Sequence, residues 1–254
     1  MLTAGGLSNT GPVRKNNEDS FASEVGLSLF VVADGMGGHS AGEVASNLAV
    51  ESIVGFVRRT QEDADISWPY GVAPGLSFGG NCLRTAIHLA NRRVFRAAER
   101  HDEYTGMGTT VVAALIGDHR LSVGHAGDSR AYLLADGEWR QLTTDDTWAA
   151  TVLAERPDLQ ATGSTQSMRH VLTNIIGVRD EANVHLAEYD LRGGELILLC
   201  SDGVHNVVDD ATLRDLVSRD APPLEIVEQI IATALAHGTR DNITAIVIRY
   251  DGDD

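Results

Sequence analysis

Short apolar runs separated by tight turns recur along the chain, and they restrict its fold more than any other feature of the sequence. Each run has the length and the Gly, Asp or Asn boundaries typical of a β-strand. The runs lie at 27–33, 109–117, 120–126, 129–134, 195–200 and 243–249. Asp118 and His119 separate the second run from the third, and residues 135–138 form another tight connection. Because such short connections join antiparallel neighbours, the sequence predicts largely antiparallel sheets.

Helical periodicity occurs in four segments that lie between groups of strands. The segments are 40–59, 77–101, 210–219 and 223–237. Ser40 and Ser77 are placed to cap the first two helices, and Pro223 suits the first turn of the last one. Hairpins grouped between long helices indicate an α+β fold, in which helices cover antiparallel sheets, rather than an alternating parallel sheet.

The charge balance and the two cysteines limit what the chain binds and where it works. The 254 residues include 20 Lys and Arg against 36 Asp and Glu, a net charge of −16, which disfavours nucleic acid and anionic membranes as partners. Cys82 and Cys200 are too few for a disulfide framework, and no leader-like or membrane-spanning run is found. We therefore expect a cytoplasmic protein without membrane insertion, built as one domain over residues 1–254 with a flap at about 144–170.

Four aspartates stand next to the ends of apolar runs, and glycine adjoins most of them. Asp34 and Asp202 each follow a run and precede a glycine. Asp128 follows Gly127, and Asp241 comes just before the last run. A buried strand delivers the side chain at its end to a fixed place, and a neighbouring glycine lets backbone carbonyls approach a ligand closely. We expect these four carboxylates to share one site.

A cluster of carboxylates without matching Lys or Arg favours binding of a divalent cation. Unneutralised carboxylates repel one another and raise their own pKa values. Oxygen ligands select Mg²⁺ or Mn²⁺ over Zn²⁺, and a pair of such ions lowers the pKa of a bridging water and holds a phosphoryl group for in-line attack. We interpret Cys200, inside an apolar run, as a core residue and His125, with no carboxylate partner indicated by spacing, as structural. The residues themselves therefore favour hydrolysis of a phosphate ester.

Six motifs, in order along nearly the whole chain, carry a family resemblance. They are the segments 13–19 (VRKNNED), 32–38 (VADGMGG), 108–110 (GTT), 124–130 (GHAGDSR), 200–203 (CSDG) and 240–244 (RDNIT). This series resembles that of the metal-dependent protein phosphatases of type 2C in their bacterial form. The resemblance implies a four-layer α-β-β-α sandwich, in which two antiparallel sheets pack face to face and helices flank them.

The same resemblance implies which residues hold two tightly bound ions, Mn²⁺ or Mg²⁺. Asp34 would bridge the two ions. Asp202 and Asp241 would complete the protein ligands of the first ion. The backbone carbonyl of Gly35 would bind the second.

Further motif residues would act around this pair of ions. Glu18 and Asp19 would reach the metals largely through water. Asp128, together with Asp202, matches the ligands of a third, more weakly bound ion in bacterial-type members. Arg14 matches the guanidinium that holds the substrate phosphate, a role that its bidentate geometry suits.

The chain departs from the family pattern near these motifs. Animal-type relatives carry a histidine, a candidate general acid, directly after the position of Gly35, where this chain has Met36, whose thioether cannot donate a proton. His39, three residues further on, or a metal-bound water would then protonate the leaving alcohol. Many bacterial relatives have Asp-His-Ser or Asp-His-Thr where this chain has residues 145–147 (DDT), and the flap lacks their usual His-Pro before Arg169. Substrate choice and flap behaviour therefore stay open.

We expect a serine/threonine protein phosphatase in which a metal-bridging hydroxide attacks phosphoserine or phosphothreonine directly, without a phospho-enzyme. Its partners would be phosphorylated proteins, and it would oppose a serine/threonine kinase as a monomer. A catalytically silent phospho-binding module on the same fold is an alternative, but such a module would have lost metal ligands, and Asp34, Asp202 and Asp241 are all present. A two-metal nuclease is disfavoured by the net charge of −16 and by the lack of a basic groove-like cluster.

Overall fold

Two antiparallel sheets form the centre of the computed structural model, which describes residues 1–38, 41–63, 67–155 and 171–252. The strands are β1 (Leu2–Asn9), β2 (Asp19–Glu24), β3 (Leu29–Met36), β4 (Gly108–Thr109), β5 (Val111–Gly117), β6 (Arg120–Ala126), β7 (Arg130–Ala135), β8 (Glu138–Gln141), β9 (His185–Asp190), β10 (Glu195–Cys200) and β11 (Ile243–Tyr250). The first sheet has the order β1-β11-β10-β7-β8, and the second has the order β2-β3-β5-β6-β9, with β4 paired to the end of β3. All of these pairings are antiparallel, which confirms the prediction from the short connections.

The described α-helices fall where helical periodicity predicts them, with two short additions. They are α1 (Ala41–Glu62), α2 (Phe78–Arg100), α3 (Trp148–Glu155), α4 (Asp202–His205), α5 (Asp210–Val217) and α6 (Pro223–Ala236). Ser77 caps α2, because its hydroxyl accepts a hydrogen bond from the Gly80 N–H at 3.1 Å. Pro223 opens α6, where the N–H that proline lacks would have no helical partner. In the part of the chain that the structure describes, no helix is both long and apolar enough to cross a membrane.

Alternate residues of the central strands bury opposite faces of the sheets. In β3, Phe30 and Val32 pack between the two sheets, whereas Leu29, Val31 and Ala33 pack with residues of α1 and α2. Both faces of this strand are therefore covered, which explains why residues 29–33 are apolar at every position.

The first sheet is covered in the same way on its outer side. Ile197 and Ile246 point between the sheets, whereas Leu198 and Val247 pack with residues of α5 and α6 such as Ile230. The layers therefore run helix, sheet, sheet, helix. This order confirms the four-layer α-β-β-α sandwich.

Four strands lie where the apolar pattern did not predict them, namely β1, β2, β8 and β9. All four stand at the edge of a sheet, and most of their residues are partly buried or exposed. An edge strand packs fewer side chains than a central one, so its sequence does not need a continuous apolar run. Prediction from apolar runs therefore found the central strands and missed these edges.

Part of the predicted flap at 144–170 is helical, because α3 occupies residues in which the sequence showed no periodicity. The base of the segment is closed by a bridge between Thr147 and Leu172 and by a 2.8 Å hydrogen bond from the Trp148 N–H to the Val171 carbonyl. Residues 156–170 lie outside the described residues, as does Ser40, the predicted cap of α1.

Candidate active site

The predicted site residues meet at one edge of the sandwich, where strands of both sheets begin or end. Asp34 lies near the end of β3, Asp128 follows β6, Asp202 follows β10 by two positions, and Asp241 precedes β11 by two positions. A cavity of about 300 Å³ opens at this edge. Its lining includes Arg14, Glu18, Asp34, Gly35, Asp128, Asp202 and Asp241. The structure thus brings these seven residues to one place.

Asp19 lies behind the cavity and connects the two sheets. The β2–β3 pairing places it directly opposite Asp34. Its side chain is buried, and Oδ2 accepts hydrogen bonds from the hydroxyls of Ser201 at 2.8 Å and Thr244 at 2.6 Å. Because Thr244 belongs to β11, this carboxylate fixes the spacing of the sheets directly beneath the cavity.

Gly35 is required by a close approach between three segments. A Cβ at this position would lie 2.0 Å from the carbonyl oxygen of Gly42 in α1 and 2.6 Å from the carbonyl oxygen of Glu18. The Gly35 N–H donates to that same Glu18 carbonyl at 3.0 Å. Only glycine fits here, so the Asp34-Gly35 pair joins β3, the start of α1 and the loop that carries Glu18.

Burial and mutual repulsion raise the pKa values of the carboxylates in and behind the cavity. Burial raises the pKa of Asp34 well above its usual value, and the charges of Asp19 and Asp202 raise it further. Burial and the charge of Asp202 raise the pKa of Asp128 to about 7. Burial also raises the pKa of Asp19 to about 6, although hydrogen bonds from two hydroxyls act in the opposite direction. The site therefore favours any ligand that brings positive charge.

Arg14 contributes positive charge at the mouth of the cavity. Its Nη2 donates to Oδ2 of Asp241 at 2.8 Å, and half of the Arg14 side chain is exposed. Of the described residues that line the cavity, Arg14 is the one cation, and it faces five carboxylates. One guanidinium leaves most of this negative charge uncompensated.

The donor set fits hard divalent cations. Oε1 of Glu18 and Oδ1 of Asp19 are buried, and no hydrogen-bond donor reaches either atom from the described residues. Burying a carboxylate oxygen costs free energy unless a hydrogen-bond donor or a cation contacts it. Because the cavity offers several carboxylates and no thiolate or imidazole among its described lining, it suits Mg²⁺ or Mn²⁺.

Two polar residues that the sequence analysis did not assign a role support the site. Asn242 accepts a hydrogen bond from the Glu18 N–H at 2.8 Å and donates to the carbonyls of Thr10 and Asn16. Thr110 accepts from the Asp34 N–H at 3.0 Å. Both residues lie inside the quoted motifs, so their position beside predicted ligands was the available signal.

Two other predicted features have different outcomes. His39, the predicted general acid, lies outside the described residues. Met36 lines the cavity and is 40% exposed, so a thioether stands where animal-type relatives have histidine. Cys200 is fully buried, as its apolar run predicts. The roles of Arg14 and of the metal-ligand candidates stay predictions.

Comparison with known proteins gives the same family throughout. The chain is 35% identical to the serine/threonine protein phosphatase PstP of Mycobacterium tuberculosis over 99% of its own length, and it spans 46% of the PstP sequence. It is 28% identical to the protein phosphatase PhpP of Streptococcus pneumoniae, covering 98% of this chain and 97% of PhpP. The solved catalytic domain of PstP, in complex with two manganese ions, superposes with a TM-score of 0.81 at 34% identity and covers 99% of both chains. A model of the protein phosphatase 2C family matches residues 13–238, and the chain belongs to that family.

Proposed function

We propose that this chain is a metal-dependent serine/threonine protein phosphatase, which hydrolyses the phosphate esters of serine and threonine. The observation that carries the proposal is the cavity of about 300 Å³, in which five carboxylates face a single arginine among the described residues. Membership of the protein phosphatase 2C family supports the same reaction. The curated relative PstP is about twice as long as this chain, so the activity is proposed for the chain itself.

We assign two Mn²⁺ or Mg²⁺ ions to the cavity. Asp34 would be shared by both ions, Asp202 and Asp241 would complete the first, and the Gly35 carbonyl would serve the second. Glu18 and Asp19 act through water, and the orphaned oxygen atoms of these two residues support that assignment. When bound, the ions supply a hydroxide nucleophile at neutral pH and screen the charge of the phosphate.

A third, weaker ion is assigned to Asp128 and Asp202. Asp128 follows the end of β6 and lines the same cavity as Asp202. The charge of Asp202 is among the causes that raise the pKa of Asp128, so the two carboxylates are close enough to repel each other. A cation between them would relieve that repulsion.

Arg14 binds the substrate phosphate in this proposal. A guanidinium has five N–H donors in a fixed fork, and the contact with Asp241 uses one nitrogen of that fork. Asp241 thereby orients the guanidinium toward the cavity, which reduces the entropy lost when a phosphate is bound. His39 or water protonates the leaving serine or threonine oxygen, since Met36 cannot.

We further propose that residues 1–254 act as one catalytic domain on phosphorylated proteins in the cytoplasm, as a monomer that opposes a serine/threonine kinase. The pairing of β1 with β11 supports the single domain, because it joins the first described strand to the last. The net charge of −16 supports protein rather than nucleic acid as the partner.

Hydrolysis of a phosphothreonine peptide and of para-nitrophenyl phosphate tests the function. The purified protein is treated with a chelator and then assayed with Mn²⁺ or Mg²⁺ restored. We expect phosphate release that disappears with the chelator and returns with the ion. Asp34→Asn is expected to remove it, whereas Asp190→Asn, an exposed carboxylate at the end of β9, serves as the matched control. A folded, metal-loaded protein that releases no phosphate would instead support a silent binding module.

A further inference from the structure

A second group of metal-ligand side chains lies beside the cavity, and the proposed reaction does not use it. It consists of His125 near the end of β6, His185 at the start of β9 and Asp146 in the loop after β8. His125 and His185 are directly paired across the β6–β9 ladder. One ligand atom from each of the three residues lies within 4.8 Å of the others. This arrangement arises only in the fold, because the three residues are far apart in the sequence.

One of the two carboxylate oxygen atoms of Asp146 accepts hydrogen bonds that hold the side chain in place. Its Oδ2 accepts hydrogen bonds from the Gly127 N–H at 3.0 Å and from Nδ2 of Asn174 at 2.6 Å. Its Oδ1 lies 3.0 Å from Nε2 of His185. The carboxylate is thus fixed with one oxygen directed toward the histidine.

His125 is also oriented by a group outside the cluster. Its Nε2 lies 3.0 Å from the carbonyl oxygen of Thr144 and donates to it. A histidine that donates one ring N–H to a backbone carbonyl keeps its other nitrogen as a lone-pair donor, which is the usual arrangement around protein-bound metals. The side chain is buried, so water competes little for that nitrogen.

The chemistry of this group differs from that of the cavity. Two imidazoles and one carboxylate form a donor set that Zn²⁺ prefers, with a fourth position left for water. Two ligands bound at about 2.0–2.1 Å to a tetrahedral Zn²⁺ stand about 3.4 Å apart, close to the 3.0 Å between His185 Nε2 and Asp146 Oδ1. His185 and Asp146 therefore need little movement to accept an ion, whereas the rings of His125 and His185, which are stacked with centroids 4.9 Å apart, must turn before both face it.

We propose that His125, Asp146 and His185 form a separate Zn²⁺ site next to the carboxylate cavity. The ion in this site fixes the Gly127–Asp128 turn, because Asp146 accepts from the Gly127 N–H and its own N–H donates to the Gly127 carbonyl at 3.0 Å. The site exists whether or not the chain is a phosphatase, since its ligands take no part in the proposed reaction.

X-ray absorption of the full chain loaded with one equivalent of Zn²⁺ tests the proposal without any substitution. We expect scattering from imidazole rings around the zinc. The described lining of the carboxylate cavity contains no histidine, so a zinc shell without imidazole scattering would overturn the proposal.

Variants then identify the histidines that bind. Equilibrium dialysis with Zn²⁺ is expected to show affinity at least about 100-fold lower in His185→Gln and His125→Asn than in the wild type. His237→Gln, on an exposed histidine at the end of α6, is the matched control and should keep wild-type binding. Circular dichroism shows whether each variant is folded. Unchanged Zn²⁺ binding in both folded variants, or equal loss in the control, would show that the ion binds elsewhere.

Discussion

Nη2 of Arg14 lies 2.8 Å from Oδ2 of Asp241, although the two residues are 227 positions apart in the sequence. Asp241 is assigned to the first metal ion, and Arg14 is assigned to the phosphate. One carboxylate therefore connects the group that would hold the ion with the group that would hold the substrate. The two functions of the site are coupled through this contact.

Arg14→Ala is expected to lower kcat/KM for a phosphopeptide by about 10- to 100-fold, because a hydrogen bond to a charged group contributes about 1.5–3 kcal/mol. Mn²⁺ binding should not weaken, since the substitution removes a positive charge beside Asp241. Steady-state kinetics and isothermal titration measure the two effects. Arg192→Ala, on an exposed arginine, should change neither. Loss of Mn²⁺ binding in Arg14→Ala would contradict the division of roles.

Asp34→Asn and Asp128→Asn are expected to have different effects, which distinguish the two tightly bound ions from the weakly bound one. Asp34 is assigned to both tight ions, so Asp34→Asn should abolish hydrolysis and tight Mn²⁺ binding together. Asp128→Asn should keep the two tight ions, lower turnover and raise the Mn²⁺ concentration needed for activity. Titration calorimetry is combined with rates across a Mn²⁺ series. If Asp128→Asn loses the tight sites or behaves as the wild type, the assignment of the third ion is wrong.

Gly35→Ala is expected to destabilise the fold by about 1–3 kcal/mol or more, because the new methyl group would meet backbone atoms that cannot move independently. Its Cβ would lie 2.0 Å from the Gly42 carbonyl oxygen. Gly26→Ala is the control, since a Cβ at that position meets no atom within 4 Å among the described residues. Urea unfolding measures both free energies. Equal stability of the two variants would show that β3 and α1 separate easily.

The stability of the metal-free protein is expected to fall as the pH rises from about 4 to about 7. The pKa values of Asp19 and Asp128 are raised to about 6 and about 7 in the folded chain, against about 3.9 in an unfolded one. The folded state therefore holds more protons than the unfolded state in this window, and unfolding becomes easier as those protons leave.

Mn²⁺ should reverse this trend, because it binds the deprotonated carboxylates and its affinity rises over the same pH range. At about 100 times its dissociation constant the ion adds about 2.7 kcal/mol to the folded state. Thermal unfolding at pH 5 and pH 8, with and without Mn²⁺, measures both effects. A metal-free protein that is more stable at pH 8 would show that these carboxylates do not govern the pH response.

Strands that are covered on both faces could be predicted from the sequence, because most of their residues are buried and therefore largely apolar. β3, β5, β6, β10 and β11 are of this kind. The aspartates at strand ends could be predicted for the same reason, since their place follows from the strand that carries them. Edge strands and the short helix α3 carry a weaker pattern, and local sequence did not reveal them.

Contacts between distant segments could not be predicted from local pattern. The bonds from Asn242 to the loop before β2, the position of Asp19 between the sheets and the meeting of His125 with Asp146 all depend on how separate elements pack. His125 was interpreted as structural because no carboxylate stood near it in the sequence. The fold supplies one from a loop 21 positions away.

β11 is an interior strand of its sheet, between β1 and β10, and Asp241 enters the site just before it. During synthesis β1 emerges before β11, so β1 lacks its partner strand until β11 has been made. A nascent or prematurely terminated chain without β11 lacks a central strand and a proposed metal ligand at once. Assembly of the proposed site is therefore tied to synthesis of β11, and a fragment that ends before Asp241 is expected to be inactive.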